Sequence, residues 1–215
     1  MINTLFSDPI SFFIWSLALI LAITIHEFSH ALVAVKLGDP TPKLQGRLTL
    51  NPLAHLDPIG TLMLLLVRFG WGKPVQFDPY NLQKPRRDAA LISIAGPVSN
   101  LLLATVLAII LNLFIRPFGP YASLSSFLVP VIYLNVLLAV FNLIPIHPLD
   151  GGKILVGLLP KDQAGEVDSF MHRYGIFLLL FMIFPFFGGS SPVFSLLNPI
   201  INFLLHILLP TINYI

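Results

Sequence analysis

The chain contains no cysteine, which excludes disulfides, thiol nucleophiles and thiolate metal sites and leaves the redox compartment unreadable. Charge is scarce as well. Only 10% of the 215 residues are Asp, Glu, Lys or Arg, where an ordinary soluble domain carries about 25%. Apolar residues make up 56%, and mean hydropathy is +0.86. No basic cluster is interleaved with aromatics, so the net charge of +2 makes no case for nucleic acid. There is no G-x-S-x-G elbow and no pair of aspartates inside an apolar run, which argues against serine or aspartyl chemistry. No internal repeat or low-complexity tract appears. What remains is a set of long apolar runs, the pattern of an all-α polytopic membrane protein.

Apolar runs cover Pro9 to Val35, Ala89 to Ile115 and Phe127 to about Ile146, followed by a shorter Gly175 to Phe187 and by Val193 to Leu209. A helix rising 1.5 Å per residue needs about 20 residues to cross about 30 Å of hydrocarbon, so these runs predict a bundle of about five to six transmembrane helices. The first run is not expected to be a removable signal peptide, because it lacks a basic start and is too long. Ile59 to Phe69 is too short to span and is expected to re-enter on one side. With that assignment every lysine and arginine except Arg116 falls on one face, which the positive-inside bias makes cytoplasmic. Leu44 to Asn51 (LQGRLTLN) alternates apolar and polar residues and predicts a small cytoplasmic β-ribbon, with Leu44, Leu48 and Leu50 on one face.

The stretch Ala22 to Val33, AITIHEFSHALV, places two histidines and one of the chain's two glutamates inside the first apolar run. Ionisable groups in such a place are costly and usually mark function. On a helix, His26 and His30 lie on one face, roughly 40° apart, and can hold one metal ion between them. Glu27 is turned about 100° from His26 and can reach a water at that ion without being a ligand. Neutral imidazoles suit zinc, and a hydrolytic zinc site usually takes three protein ligands. Candidates for the third are Asp162, Glu166, Asp168, His206 and Asp150. Asp150 is favoured, in Asn142 to Gly152 (NLIPIHPLDGG), where Pro145 and Pro148 break the helix near the depth of His30. It also has a purely structural reading as a helix N-cap.

Together HEFSH, GPVSN at Gly96 to Asn100, NLIPIHPLDGG and the intervening NPLAHLDPIG at Asn51 to Gly60 resemble the site-2 protease family of intramembrane zinc metallopeptidases, in its compact form without PDZ or CBS domains. The resemblance covers about residues 20 to 160. It implies that His26, His30 and Asp150 bind one Zn2+, that Glu27 is the catalytic acid and base, and that Asn142 lies near the centre to hold substrate or an oxyanion. Gly96 and Pro97 would let spans pack closely. Many compact members have proline where this chain has His147, which leaves that side chain as a partner of a ligand, an alternative ligand or a bystander. His55 would approach the site from the re-entrant segment or merely pack locally.

The expected organisation is a single integral membrane peptidase domain over residues 1–215, with a catalytic core at about 10–160 and accessory helices at about 172–215. The expected reaction is peptide-bond hydrolysis in or near a transmembrane segment of a membrane-anchored protein, Glu27 taking a proton from water and giving it to the leaving amine. Two rivals use the same residues: a membrane metal-ion transporter and a catalytically inactive scaffold of the same fold. The expected location is the lipid bilayer of a bacterial inner membrane, with the active site toward the cytoplasm. A homo-oligomer is compatible with the sequence.

Overall fold

Asp8 and Pro9 start the first long helix for local reasons. The Asp8 carboxylate accepts from the Ser11 N–H at 3.1 Å, and Pro9 takes a first-turn position where its missing N–H is no loss. The structure, a computed structural model, describes residues 7–67, 71–115, 122–184 and 191–210. Its helices are α1 (Pro9–Lys36), α2 (Thr41–Leu44), α3 (Pro58–Val67), α4 (Pro85–Ile110), α5 (Ala122–Asn142), α6 (Asp150–Leu158), α7 (Lys161–Ile183) and α8 (Pro192–Leu208). Short 3-10 turns lie at Pro52–Ala54 and Pro79–Asn81, and α4 runs on into a π-helical turn at Leu111–Ile115.

α4 is packed against α1, α5 and α6. The larger core joins α4, α5 and α8 through Ala104, Ala108, Ile132, Val136, Leu197 and Ile201. Among the described residues, three helical segments are long and apolar enough to cross a membrane: Pro9–Lys36, Pro85–Leu113 and Leu124–Asn142. Many of their apolar side chains face outward, Phe13, Leu17, Leu102 and Val106 among them, as lipid-facing positions require.

The count of five to six spans is not reached among these residues. α8 has 17 residues, and the first half of α7 carries Lys161, Asp162, Glu166 and Asp168, too polar for hydrocarbon. α3 rises about 15 Å over its 10 residues, half the hydrocarbon thickness. Phe69 of the expected re-entrant run, Pro185 to Phe187 of the fourth apolar run, and Arg68 and Arg116 of the charge pattern lie outside the described residues.

The expected β-ribbon does not form. Leu44 closes α2, and Gly46 follows with φ +68°, so the chain turns where an extended run was expected. Nor do the faces sort as expected: Leu44 and Leu50 are exposed, while Arg47 is buried. The described residues contain no strand. Their one isolated bridge, antiparallel, joins Leu56 to Gly72. Alternation in LQGRLTLN is outweighed by prolines at 40 and 42, which favour a helical first turn, and by a glycine free to enter the left-handed region.

A pin secures the irregular stretch 71–78 and the turn after it. Asp39, fully buried beyond the end of α1, accepts from the Thr41 N–H and hydroxyl, the Asp78 N–H and the Asn81 amide, at 2.6 to 3.0 Å.

Candidate metal centre

His26 and His30 leave the same face of α1 and meet Asp150, the first residue of α6, at a single oxygen. The Asp150 Oδ2 lies 3.0 Å from the His26 Nε2 and 3.2 Å from the His30 Nε2. Both imidazoles are buried, and the carboxylate is nearly so. The other ring nitrogens decide what those short distances mean. The His30 Nδ1 donates to the Ile92 carbonyl at 2.7 Å. The His26 Nδ1 donates to the Asn100 Oδ1 at 2.6 Å.

The Asn100 amide cannot be turned round, because its nitrogen donates to the Ala22 carbonyl at 3.0 Å and to the Asn135 Oδ1 at 2.7 Å. Asn135 is fixed in turn by donation to the Val131 carbonyl. In its neutral form each imidazole thus carries its proton on Nδ1 and turns the Nε2 lone pair toward the carboxylate. Three acceptors at such distances repel unless a cation lies among them. Zinc bonds of about 2.0–2.2 Å put tetrahedral ligands about 3.4 Å apart, so the donor set fits that ion, with the Nδ1 partners holding both rings in the required tautomer.

The helices come this close because Gly96 of α4 lies against both rings. A Cβ there would stand 2.6 Å from the His26 Nε2 and 2.6 Å from the His30 Cε1. Pro97 follows, and its missing N–H leaves the Ser93 carbonyl without its helical donor, next to the Ile92 carbonyl that receives His30.

Glu27 stands beside this group with its Oε2 accepting from the Val75 N–H at 2.8 Å. Stretch 71–78 is itself tied down, since the Lys73 N–H donates to the His55 carbonyl at 2.8 Å and the Lys73 carbonyl accepts from the Arg47 guanidinium. Burial pulls the Arg47 guanidinium below its ordinary value, and the nearby charge of Glu27 offsets part of that. The carboxylate is therefore anchored by one oxygen, near both a cation and the paired imidazoles.

Other residues singled out from the sequence make their bonds to other partners. Asn142 bonds back along its own helix, its amide donating to the Leu138 carbonyl at 2.9 Å. His55 is fully buried with its Nε2 donating to the Thr49 carbonyl, a bond that ties the loop together. His147 turns toward α7, where its Nε2 lies 3.0 Å from the Asp168 Oδ1. The asparagines that touch the centre are Asn100 directly and Asn135 behind it. Motif reading gives Asn100 no chemical role inside GPVSN, and Asn135 belongs to no motif. A signal exists for both, because a buried amide within an apolar span must find partners or cost several kcal/mol.

The profile of Peptidase family M50 matches residues 118–182. YwhC of Bacillus subtilis, named as a candidate zinc metalloprotease, is 41% identical over 190 residues, covering 85% of this chain and 84% of that protein. The similarly named Rip2 of Mycolicibacterium smegmatis is 33% identical over 76% of this chain and 64% of its own length. The zinc metalloprotease MJ0392 of Methanocaldococcus jannaschii is 28% identical, over 82% of this chain and 44% of its own length. No solved structure matches. With YwhC aligned along most of both chains, this protein belongs to peptidase family M50, the site-2 protease family.

Proposed function

We propose that the chain is an intramembrane zinc endopeptidase that hydrolyses a peptide bond in or near the transmembrane segment of a membrane-anchored protein. The observation that carries this reading is the convergence of two imidazole lone pairs and a carboxylate oxygen, within 3.0 to 3.2 Å, beside a glutamate that is not among them. His26, His30 and Asp150 hold the metal. Zinc bound there supplies Lewis acidity toward a scissile carbonyl and toward water. Glu27 accepts the proton of the attacking water and returns it to the leaving amine, while the Val75 N–H keeps its carboxylate from rotating away. Asn100 and the Ile92 carbonyl keep the imidazoles in the tautomer that binds metal.

The substrate must present an extended backbone, because a helical peptide bond is shielded by its own turn. The centre lies toward the Lys36 end of α1, which is six residues or about 9 Å beyond His30. We assign that end to the cytoplasmic face of a bacterial inner membrane, with cleavage close to it. The short α3 dips into that face, and α7 and α8 complete five to six membrane-embedded helices. Asn142, whose amide is held by the Leu138 carbonyl, is assigned to the substrate side.

Glu27→Gln tests the reading. Purified in detergent, the variant should keep about one tightly held zinc at the His26 site and lose at least about 100-fold in cleavage of a transmembrane reporter. Cleavage at the wild-type rate would remove Glu27 from the chemistry. Zinc flux into proteoliposomes that survives the substitution would point to transport instead.

A further inference from the structure

His147, Asp168 and His172 form a second cluster whose ligand atoms all lie within 4.8 Å of one another, and none of the three belongs to the first centre. Asp168 and His172 stand at i and i+4 on α7, as His26 and His30 do on α1, and His147 comes from the turn that precedes α6. The His147 Nε2 is 3.0 Å and the His172 Nδ1 3.4 Å from the same oxygen, the Asp168 Oδ1, and the two rings lie 4.5 Å apart. Those nitrogen–oxygen separations match the edge of about 3.4 Å set by metal–ligand bonds of about 2.0–2.2 Å.

The site is built rather than accidental on its inner side. His147 is buried, and Gly152 and Gly175 both give way to it. A Cβ on Gly152 would come within 2.6 Å of the His147 Nδ1, and one on Gly175 would collide with the His147 carbonyl. On the outer side the His172 side chain is 68% exposed, so an ion has a route in from solvent and room for water as a further ligand. Two imidazoles and one carboxylate are a donor set for a borderline transition metal, not for magnesium or calcium.

We propose that His147, Asp168 and His172 bind a second divalent transition-metal ion of the zinc class. The His172 Nδ1, which rests 3.0 Å from the Asp168 backbone carbonyl, exchanges that contact for the metal. Because His147 sits three residues before Asp150, an ion there ties the turn carrying a ligand of the first centre to α7. The second ion thereby stiffens the catalytic site without taking part in the reaction.

The test counts metal. The full chain, carrying a purification tag without histidine, is loaded with excess zinc in detergent, desalted and assayed by elemental analysis. The expected ratio is about two zinc ions per chain, falling to about one in His172→Ala, in Asp168→Asn and in His26→Ala. His172 is exposed, so its replacement leaves the fold intact. As a second readout, zinc should still raise the unfolding temperature of His26→Ala and should no longer do so in His26→Ala/His172→Ala. A ratio in His172→Ala and Asp168→Asn equal to wild type would overturn the proposal, reducing the cluster to a hydrogen-bonded clasp. Loss of the only zinc in His172→Ala, with none lost in His26→Ala, would keep the second site and sink the first.

Discussion

At the scale of single residues, the centre is decided by which nitrogen of each histidine is free. His30 is oriented by a backbone carbonyl, which no substitution can remove, whereas His26 depends on the side chain of Asn100. Asn100→Ala should therefore act on one ligand only. It releases the His26 ring and takes from the Ala22 carbonyl and the Asn135 Oδ1 the donor that Asn100 supplies. Loss of such an orienting contact typically costs about 10–100-fold in metal affinity. Zinc titration against a competing chelator should show that drop, and an affinity within twofold of wild type would mean that packing alone orients His26. This is also where sequence reading reaches and stops. The i, i+4 spacing of HEFSH is a property of one helix, so it brings His26 and His30 onto a common face without help. The role of Asn100 is a property of two helices meeting, set by how closely Gly96 lets α4 approach α1. No local pattern records that distance.

At the scale of elements, the loop between α1 and α4 shows what alternation alone misses. Leu44 to Asn51 has the period of a strand, but its neighbouring prolines and Gly46 dictate turns, and the buried side chain is Arg47, which holds stretch 71–78 through the Lys73 carbonyl. The stretch that supplies the Val75 N–H to Glu27 depends as well on Asp39 at the end of α1. Burial raises the Asp39 carboxyl, and the donors from Thr41, Asn81 and Asp78 outweigh that and lower it from 3.8. A lowered folded value means that the stabilisation is present above the unfolded value and is lost as pH falls through the folded one. Below about pH 4 the 78–81 turn should accordingly begin to part from α1. Hydrogen exchange of the 75–82 amides as a function of pH is the measurement. Protection should fall at acid pH in the wild type and vary far less with pH, from a lower plateau, in Asp39→Asn. An identical acid profile in the variant would assign the effect to another carboxylate.

At the scale of the whole molecule, the three long apolar helices among the described residues determine which loops share a side. α1 ends at Lys36, α4 begins at Pro85 and α5 ends at Asn142, so in the proposed topology, with α3 not crossing, both ends of the 37–84 segment and the α6 region lie on one side, opposite Ser7. The metal centre is assembled at that shared side because its two parts, the last turns of α1 and the first residue of α6, belong to it. Apolar run length makes the three long helices legible in the sequence. It also starts a short apolar run at Gly175, where α7 passes from a polar half that meets His147 through Asp168 to an apolar half, but it does not show that both halves belong to one continuous helix. The absence of cysteine makes the arrangement directly testable, since a single introduced thiol is the only one in the chain. Tyr80→Cys and Leu158→Cys occupy highly exposed positions, 97% and 78% accessible. Both should react with a membrane-impermeant maleimide in inverted vesicles and not in intact cells, while Ser7→Cys should do the reverse. Labelling of Tyr80→Cys and Leu158→Cys from opposite faces would break the proposed arrangement of these helices. Labelling of both from outside would preserve the arrangement and turn it over, moving the cleavage site to the external leaflet with every distance at the centre unchanged.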